Sequence, residues 1–272
     1  MFNSNGKLVS SLNEISSDFI TQLHTQLTVS EILRIENGNI LFWEYHYFRI
    51  IAGLRRHRFE IPMNFTMEYL ETEISKLFSH DQTNQDSILL RIQFLANENS
   101  IDFLISSNKV LGLDKIEPTK NYNLDLFKEA SIQAVRLSNL STTNATIFTI
   151  GKRYAEENGL DDCILLNDQK NLKETLQGSL YLLQKDTILT PSLECGCQDF
   201  ALRSAFNDWI EKEQKTIELF KQAINPFELQ KSEELMVLSI ERGGQSVSQY
   251  RKTNYRSFKL QQLFAKFVRE LY

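Results

Sequence analysis

The sequence predicts a protein of mixed α and β structure, of the α+β or α/β class, organised in two domains. Residues 28–35 alternate in polarity and are rich in β-branched types, which is typical of a strand. Residues 43–58 instead repeat apolar side chains with the helical period, on a face made of Tyr47, Ile50, Ile51 and Leu54. Strand and helix patterns recur on both sides of a segment that contains Gly112 and Pro118, so we expect a domain boundary there.

The N-terminal part is predicted to be a compact α+β unit. Residues 1–26 show no strong periodicity. Asn37-Gly38 is a hairpin turn signal between the strand at 28–35 and a second one at 40–42. The helix that starts at Trp43 ends near Pro62. A second helix and a strand pair follow, at 67–78, 87–95 and 101–105.

The C-terminal part is predicted to hold short strands between helices. A helix spans 144–158, with Thr142, Thr143 or Asn144 as its N-cap and Gly159 as its C-terminal stop. Residues 124–137 are ambiguous in period. We expect strands at 163–166, 172–175, 180–183, 187–189 and 235–240, and helices at 200–223 and 258–271. The predicted division is an N-terminal domain 1–112, a linker 113–121 and a C-terminal domain 122–272.

Composition excludes several function classes. The net charge is −5 and no basic block stands out, so we expect no nucleic-acid partner. No apolar run approaches the roughly 18 residues of a membrane span, and the first residues lack a signal-peptide pattern, so a cytoplasmic location is expected. The sequence has three cysteines, and such a low and odd number argues against a disulfide framework. Cys195-x-Cys197 lacks the further ligands of a zinc site, so no metal is expected.

The most informative stretch runs from Ser141 to Arg203. Ser141-Thr142-Thr143-Asn144 precedes a predicted helix, and Glu174 is followed five residues later by Ser179-Leu180-Tyr181. Upstream, His46-Tyr47-Phe48-Arg49-Ile50 lies on the first predicted helix. This set resembles the class IV aminotransferases of fold type IV, which include branched-chain and D-amino-acid aminotransferases and 4-amino-4-deoxychorismate lyase. The resemblance covers nearly the whole chain and implies the two-domain D-amino-acid-aminotransferase-like fold.

The resemblance also implies roles for particular residues toward pyridoxal 5′-phosphate. Family members hold the cofactor on a lysine in a Lys-Thr/Ser-x-Asn segment, and Ser141 occupies that lysine position. Glu174 corresponds to the carboxylate that contacts the pyridine nitrogen, and Arg49 to the arginine that contacts the phosphate. A helix N-terminus with Ala201, Leu202 and Arg203 corresponds to a second phosphate contact, and Ser239 and Ile240 to residues that line the cleft.

Three departures from the family pattern occur together. Ser141 replaces the lysine, and Phe200 replaces a glycine that lets the backbone approach an anion. A Gly-Asp-Gly segment of the family is absent from the run Gln26 to Glu31, although Glu31 and Arg34 are kept.

No other lysine is expected to supply the missing amine. Lys152 lies roughly 16 Å along the helix from Ser141. Lys173 neighbours Glu174 on a predicted strand, so its side chain is expected on the opposite face. The pattern does not place Lys128 or Lys170.

Three functions are compatible with this pattern. The first is an inactive or re-purposed homologue, a homodimer whose remodelled inter-domain cleft binds a small molecule or which serves as a partner subunit, and the three departures favour it. The second is an active aminotransferase or lyase that holds pyridoxal or pyridoxamine phosphate non-covalently through Arg49, Glu174 and Arg203. The third is an enzyme with unrelated chemistry, but the sequence shows no Ser-His-Asp order, nucleotide loop or metal cluster.

Overall fold

A computed structural model describes residues 1–26, 28–78, 87–97, 100–142, 145–256 and 258–271. The chain divides into two compact units. Unit 1 holds Met1–Leu113 and Ser141–Asn144, and unit 2 holds Asp114–Leu140 and Ala145–Tyr272. The described residues form three sheets with helices packed on them, so the predicted mixed fold is confirmed. Ser141 belongs to unit 1, whereas the predicted boundary assigned all of 122–272 to one domain.

Unit 1 is built on a six-stranded antiparallel sheet of order β2-β1-β6-β5-β3-β4. Its strands are β1 Phe2–Ser4, β2 Lys7–Val9, β3 Thr28–Glu36, β4 Asn39–Ile40, β5 Ser87–Asn97 and β6 Ser100–Val110. Asn37 and Gly38 both have positive φ and close the predicted hairpin between β3 and β4. The second strand of that hairpin ends at Ile40, two residues before the predicted end.

Three α-helices belong to unit 1: α1 Ser17–Thr25, α2 Trp43–Arg56 and α3 Met67–Ser75. Helix α2 buries Ile50, Ile51 and Leu54 in the same apolar core as Leu33 of β3, as its period predicts. The same helix also buries His46 and Arg49. Helix α2 therefore carries two polar side chains to the sheet along with its apolar face.

Unit 2 contains two five-stranded sheets, of order β12-β11-β10-β13-β14 and β16-β15-β7-β8-β9. The strands are β7 Asn123–Leu126, β8 Asp162–Leu166, β9 Leu172–Thr175, β10 Ser179–Gln184, β11 Thr187–Pro191, β12 Glu218–Gln222, β13 Glu234–Ser239, β14 Gly243–Ser246, β15 Gln249–Tyr250 and β16 Thr253–Asn254. The helices are α4 Thr146–Glu157, α5 Ala201–Glu213, α6 Glu228–Lys231 and α7 Lys259–Arg269. None of the described helices is long and apolar enough to cross a membrane.

Several predicted boundaries differ from the structure. Helix α5 ends at Glu213, and residues 218–222, predicted as its last turns, form β12 instead. This strand pairs in parallel with β11, a partner that periodicity cannot reveal. Helix α4 begins after Ala145, so the predicted N-cap Thr142 is wrong, while Thr143 and Asn144 lie outside the described residues. Gly159 has φ +63° just past α4, which confirms the predicted stop.

One irregularity of unit 2 is a β-bulge in β9. Leu165 of β8 pairs with Glu174, but the next residue of β8, Leu166, pairs with Leu172. Lys173 is therefore the extra residue of the strand. A bulge breaks the alternation of side chains and re-aims the residues beside it.

Unit 2 also buries a carboxylate whose protonation is expected to affect stability. The Tyr122 hydroxyl donates to Asp162 over 2.9 Å. Burial nevertheless raises the pKa of Asp162 from 3.8 to about 6. A carboxyl with a raised pKa in the folded state binds its proton more tightly there than in the unfolded chain. The stability gained from that proton is present at low pH and is lost as the pH rises through the window from 3.8 to about 6.

We therefore predict that Asp162→Asn flattens the pH dependence of unfolding between about pH 4 and about pH 6. Urea unfolding at a series of pH values measures this. The wild type should lose stability relative to the variant as the pH rises. Tyr122→Phe removes a donor that favours the ionised carboxylate, so it should move the upper end of the window to higher pH. Parallel curves for the wild type and Asp162→Asn would contradict the assignment.

Candidate functional site

In unit 1 the polar side chains of β3 and α2 meet at one buried carboxylate. Glu31 of β3 lies with Oε1 at 2.8 Å from His46 Nδ1, and its Oε2 accepts from Arg49 Nη1. All three side chains are buried. His46 and Arg49 share this carboxylate because they lie three residues apart on α2, as predicted.

The environment of Glu31 keeps it ionised. Burial on its own would raise the pKa of Glu31, but the Arg49 guanidinium and the hydrogen bond from His46 outweigh it, so the pKa is lowered. Arg49 and Glu31 thus form a buried ion pair. The His46 Nε2 atom is also buried and has no hydrogen-bond partner among the described residues.

Ser141 joins the same cluster. Its hydroxyl oxygen accepts a hydrogen bond of 2.8 Å from Arg49 Nη2, and its carbonyl oxygen accepts from the Ser30 N–H of β3. Arg49 therefore reaches both Glu31 and the side chain at position 141. Asn144, the other residue of the motif, lies outside the described residues.

In unit 2 the bulge brings Lys173 and Glu174 together. Lys173 Nζ forms an ion pair with Glu174 Oε1, and the two side chains are only 2% and 1% exposed. Glu174 Oε2 accepts from the Gln198 N–H over 2.8 Å. The prediction that Lys173 points away from Glu174 is therefore wrong. It assumed a regular strand, whereas Lys173 is the extra residue of the bulge.

A second cation, Arg203, lies buried in the first turn of α5. Its Nη2 donates to the Pro191 carbonyl over 2.5 Å. The Cys197 thiol donates to the same carbonyl over 3.3 Å. Burial raises the pKa of Cys197 to about 11, opposed by the charge of Arg203 and reinforced by that of Glu174. The thiol is therefore protonated at neutral pH and is not a nucleophile.

The start of α5 carries a negative charge of its own. Asp199, just before the helix, accepts a hydrogen bond of 2.8 Å from the Ser204 hydroxyl. The cap residue Phe200 offers no side-chain hydrogen bond to the helix, and Ala201 and Leu202 are buried in its first turn. A carboxylate beside a helix N-terminus interacts favourably with the helix dipole, but it repels a second anion at the same place.

The remaining residues assigned by resemblance lie at the end of β13. The Ser239 hydroxyl accepts from the Arg242 N–H over 3.1 Å, and Ile240 follows it in a turn. Ser239 packs against Gly178, where an added Cβ would lie 2.3 Å from the Leu238 carbonyl oxygen. The described residues contain no group of three or more His, Cys, Asp or Glu side chains that could hold a metal ion.

Comparison with known proteins identifies the family. A sequence profile described as amino-transferase class IV matches residues 28–250. The chain belongs to the class IV aminotransferase family. Membership implies a dependence on pyridoxal or pyridoxamine phosphate that the family shares. Comparison with curated protein sequences gives no significant match.

Solved structures of two aminotransferases and a putative lyase share the fold. A branched-chain aminotransferase from Thermoproteus uzoniensis, solved with norvaline, has a TM-score of 0.83 at 16% identity, over 99% of this chain and 93% of that one. A putative 4-amino-4-deoxychorismate lyase from Legionella pneumophila has a TM-score of 0.77 at 14% identity, over 98% and 97%. A hypothetical aminotransferase from Mycobacterium tuberculosis, with α-ketoglutarate and PMP bound, has a TM-score of 0.75 at 14% identity, over 89% of this chain and 87% of that one.

The residues that the family resemblance assigns to the cofactor do not fit it as they are bonded in this chain. In unit 1, Arg49 binds Glu31 and Ser141. In unit 2, both oxygens of Glu174 already have partners, and Arg203 donates to a backbone carbonyl. Each group that would recognise a charged part of pyridoxal phosphate thus contacts protein atoms instead.

The Glu31–Arg49 pair should be strongly coupled in stability. Arg49→Met removes the cation beside a buried carboxylate, and we expect it to cost about 3–5 kcal/mol of unfolding free energy. Adding Glu31→Gln to Arg49→Met should recover a large part of that loss, because the unpaired charge is then gone. Urea unfolding of the wild type, the two single variants and the double variant measures the coupling.

The matched control is an exposed pair. Lys231 and Glu228 are 65% and 28% exposed, so Lys231→Met should cost less than about 1 kcal/mol. A coupling energy near zero for Glu31 and Arg49 would show that the buried contact does not stabilise unit 1.

Proposed function

We propose that this chain is a class IV aminotransferase homologue that does not carry out pyridoxal-phosphate transamination and whose site is re-purposed for another small molecule. One observation carries the proposal. The Ser141 hydroxyl, at the position that the family resemblance assigns to the lysine, accepts a hydrogen bond of 2.8 Å from Arg49 Nη2. A serine at this position supplies no amine, and its hydrogen bond engages the arginine that the resemblance assigns to the phosphate.

The chemical cost of this replacement is large. A hydroxyl cannot form an imine with an aldehyde, and it titrates far above neutral pH, so it is a poor base. General acid–base catalysis alone contributes roughly 10²–10⁴ in rate, and here the covalent attachment is lost as well. Ser141 therefore supports loss of the family reaction rather than a weaker form of it.

A remodelled site still needs a ligand, and unit 1 offers a contact for one. His46 Nε2 is buried and has no hydrogen-bond partner among the described residues. Buried polar atoms are nearly always satisfied by protein, water or ligand. The ligand that we propose for this atom is a small molecule with a hydrogen-bonding group.

A second candidate function is an aminotransferase or lyase that holds pyridoxal or pyridoxamine phosphate without a covalent bond. The retention of Arg49, Glu174 and Arg203, all three buried, favours it. Its difficulty is that each of these side chains contacts protein groups that the cofactor would have to displace.

Titration of the purified wild type with pyridoxal phosphate separates the two. We expect no saturable imine absorbance band, because no amine stands at position 141, and no saturable rise in melting temperature, because Arg49, Glu174 and Arg203 contact protein atoms. A saturable shift without the band would favour the second candidate. Amino-group transfer between an amino acid and a keto acid, measured with added cofactor, would refute the proposal.

We predict that Ser141→Lys alone shows no imine absorbance band with pyridoxal phosphate once the unbound cofactor has been removed. Arg49 would still be paired with Glu31, and Glu174 would still be paired with Lys173, so neither side chain would be available to the cofactor. Ser141→Ala is the control, because it alters the same hydrogen bond without adding an amine. An absorbance band found in the lysine variant and not in the alanine variant would show that the cofactor site is intact apart from position 141.

We further propose, on the family resemblance, that the chain assembles as a homodimer and works in the cytoplasm. Light scattering of the purified protein across a range of concentrations tests the assembly. A monomer at all concentrations would contradict it.

A further inference from the structure

We propose that the Lys173 ammonium replaces the pyridinium of the cofactor as the partner of Glu174. In unit 2, a side chain of the protein thus occupies the position of the ligand cation and closes the family site to the cofactor. This inference deepens the proposed function and rests on it, because it names the residue that closes the site in unit 2.

The carboxylate of Glu174 is already paired with a cation. Its Oε1 is paired with Lys173 Nζ, and its Oε2 accepts the Gln198 N–H over 2.8 Å. Both side chains of the pair are at least nine-tenths buried. A protonated ring nitrogen that took the place of the ammonium at Oε1 would leave a buried charge without its partner.

The local charge also opposes a ligand cation. Around Cys197 lie two basic side chains, Lys173 and Arg203, and one carboxylate, Glu174. Arg203 donates to the Pro191 carbonyl, which is a neutral acceptor and does not cancel its charge. The charge of Glu174 is thus already offset by Lys173, so a further cation at this carboxylate would meet the positive charges of Lys173 and Arg203.

The bulge is what makes this arrangement possible. In a regular strand the side chains of residues 173 and 174 would point to opposite faces. Because Lys173 is the extra residue between the pairs of Leu172 and Glu174, its side chain turns back to the carboxylate beside it. The closure thus needs two features together, a bulge and a lysine within it.

The test removes the lysine and measures cofactor binding directly. Lys173→Ala removes the charge and opens space beside Glu174. The probe is pyridoxamine 5′-phosphate, which has no aldehyde and cannot form adventitious imines with surface lysines. Equilibrium dialysis of this variant of the 272-residue chain should show binding at least tenfold tighter than that of the wild type.

Two further variants separate charge from space. Lys173→Ala with Glu174→Gln keeps the space but removes the carboxylate, so it should lose the gain. Lys173→Met keeps most of the side-chain volume and removes only the charge. If Lys173→Ala fails to fold because of the cavity that it creates, Lys173→Met carries the test and should still bind more tightly than the wild type.

Three results would overturn the inference. One is equal affinity in the wild type and in the folded lysine variants. Another is an equal gain in the double variant, which would assign the effect to space alone. The third is reductive trapping of pyridoxal phosphate on Lys173 by borohydride in the wild type, since Lys173 would then be an imine-forming amine. Tight binding by the wild type would instead refute the proposed function, so the two failures are distinguishable.

Discussion

Pairing of buried charges is the constraint on which both units depend. A charge taken out of water is costly unless an opposite charge and hydrogen-bond donors or acceptors surround it. Among the residues that the structure describes, three buried ion pairs lie on strands or between a strand and a helix: Arg34–Glu36, Glu31–Arg49 and Lys173–Glu174. Glu36 in addition accepts from the Ser87 hydroxyl and the Leu113 N–H, so one pair also anchors the end of unit 1. Removal of either partner would leave a buried charge behind.

Internal pairing also limits what the site can do. In a site that binds a charged cofactor, the ligand itself supplies some of the counter-charges, and the binding residues are incomplete without it. In this chain Glu31 is the counter-charge of Arg49, and Lys173 is the counter-charge of Glu174. The groups that the family resemblance assigns to the cofactor are therefore present in the sequence, but their side chains pair with other protein groups. Retention of a residue type and retention of its role are separate properties, because the role depends on what else can reach the same atoms.

The fold is preserved although little of the sequence is. The two aminotransferases and the putative lyase compared above share it with TM-scores of 0.75 to 0.83 at only 14–16% identity. Strand and helix patterns with apolar interiors tolerate such divergence, because many apolar side chains fill the same core. Chemistry is less tolerant, since one amine at one position decides whether an imine can form. Fold and activity therefore have to be argued separately for this chain.

The sequence by itself determined the class of fold, most of the strands and helices, and the family. These depend on local signals such as the alternation at 28–35, the apolar face of α2 and the stop at Gly159. The partners of Glu174 and Arg49 were decided only by the tertiary structure. Lys173 was predicted on the wrong face because a bulge follows from the register between β8 and β9, which involves residues distant in sequence. Strand β12 was taken for helix for the same reason, since its identity comes from pairing with β11. Local periodicity states which faces are apolar; long-range pairing decides which polar atoms meet.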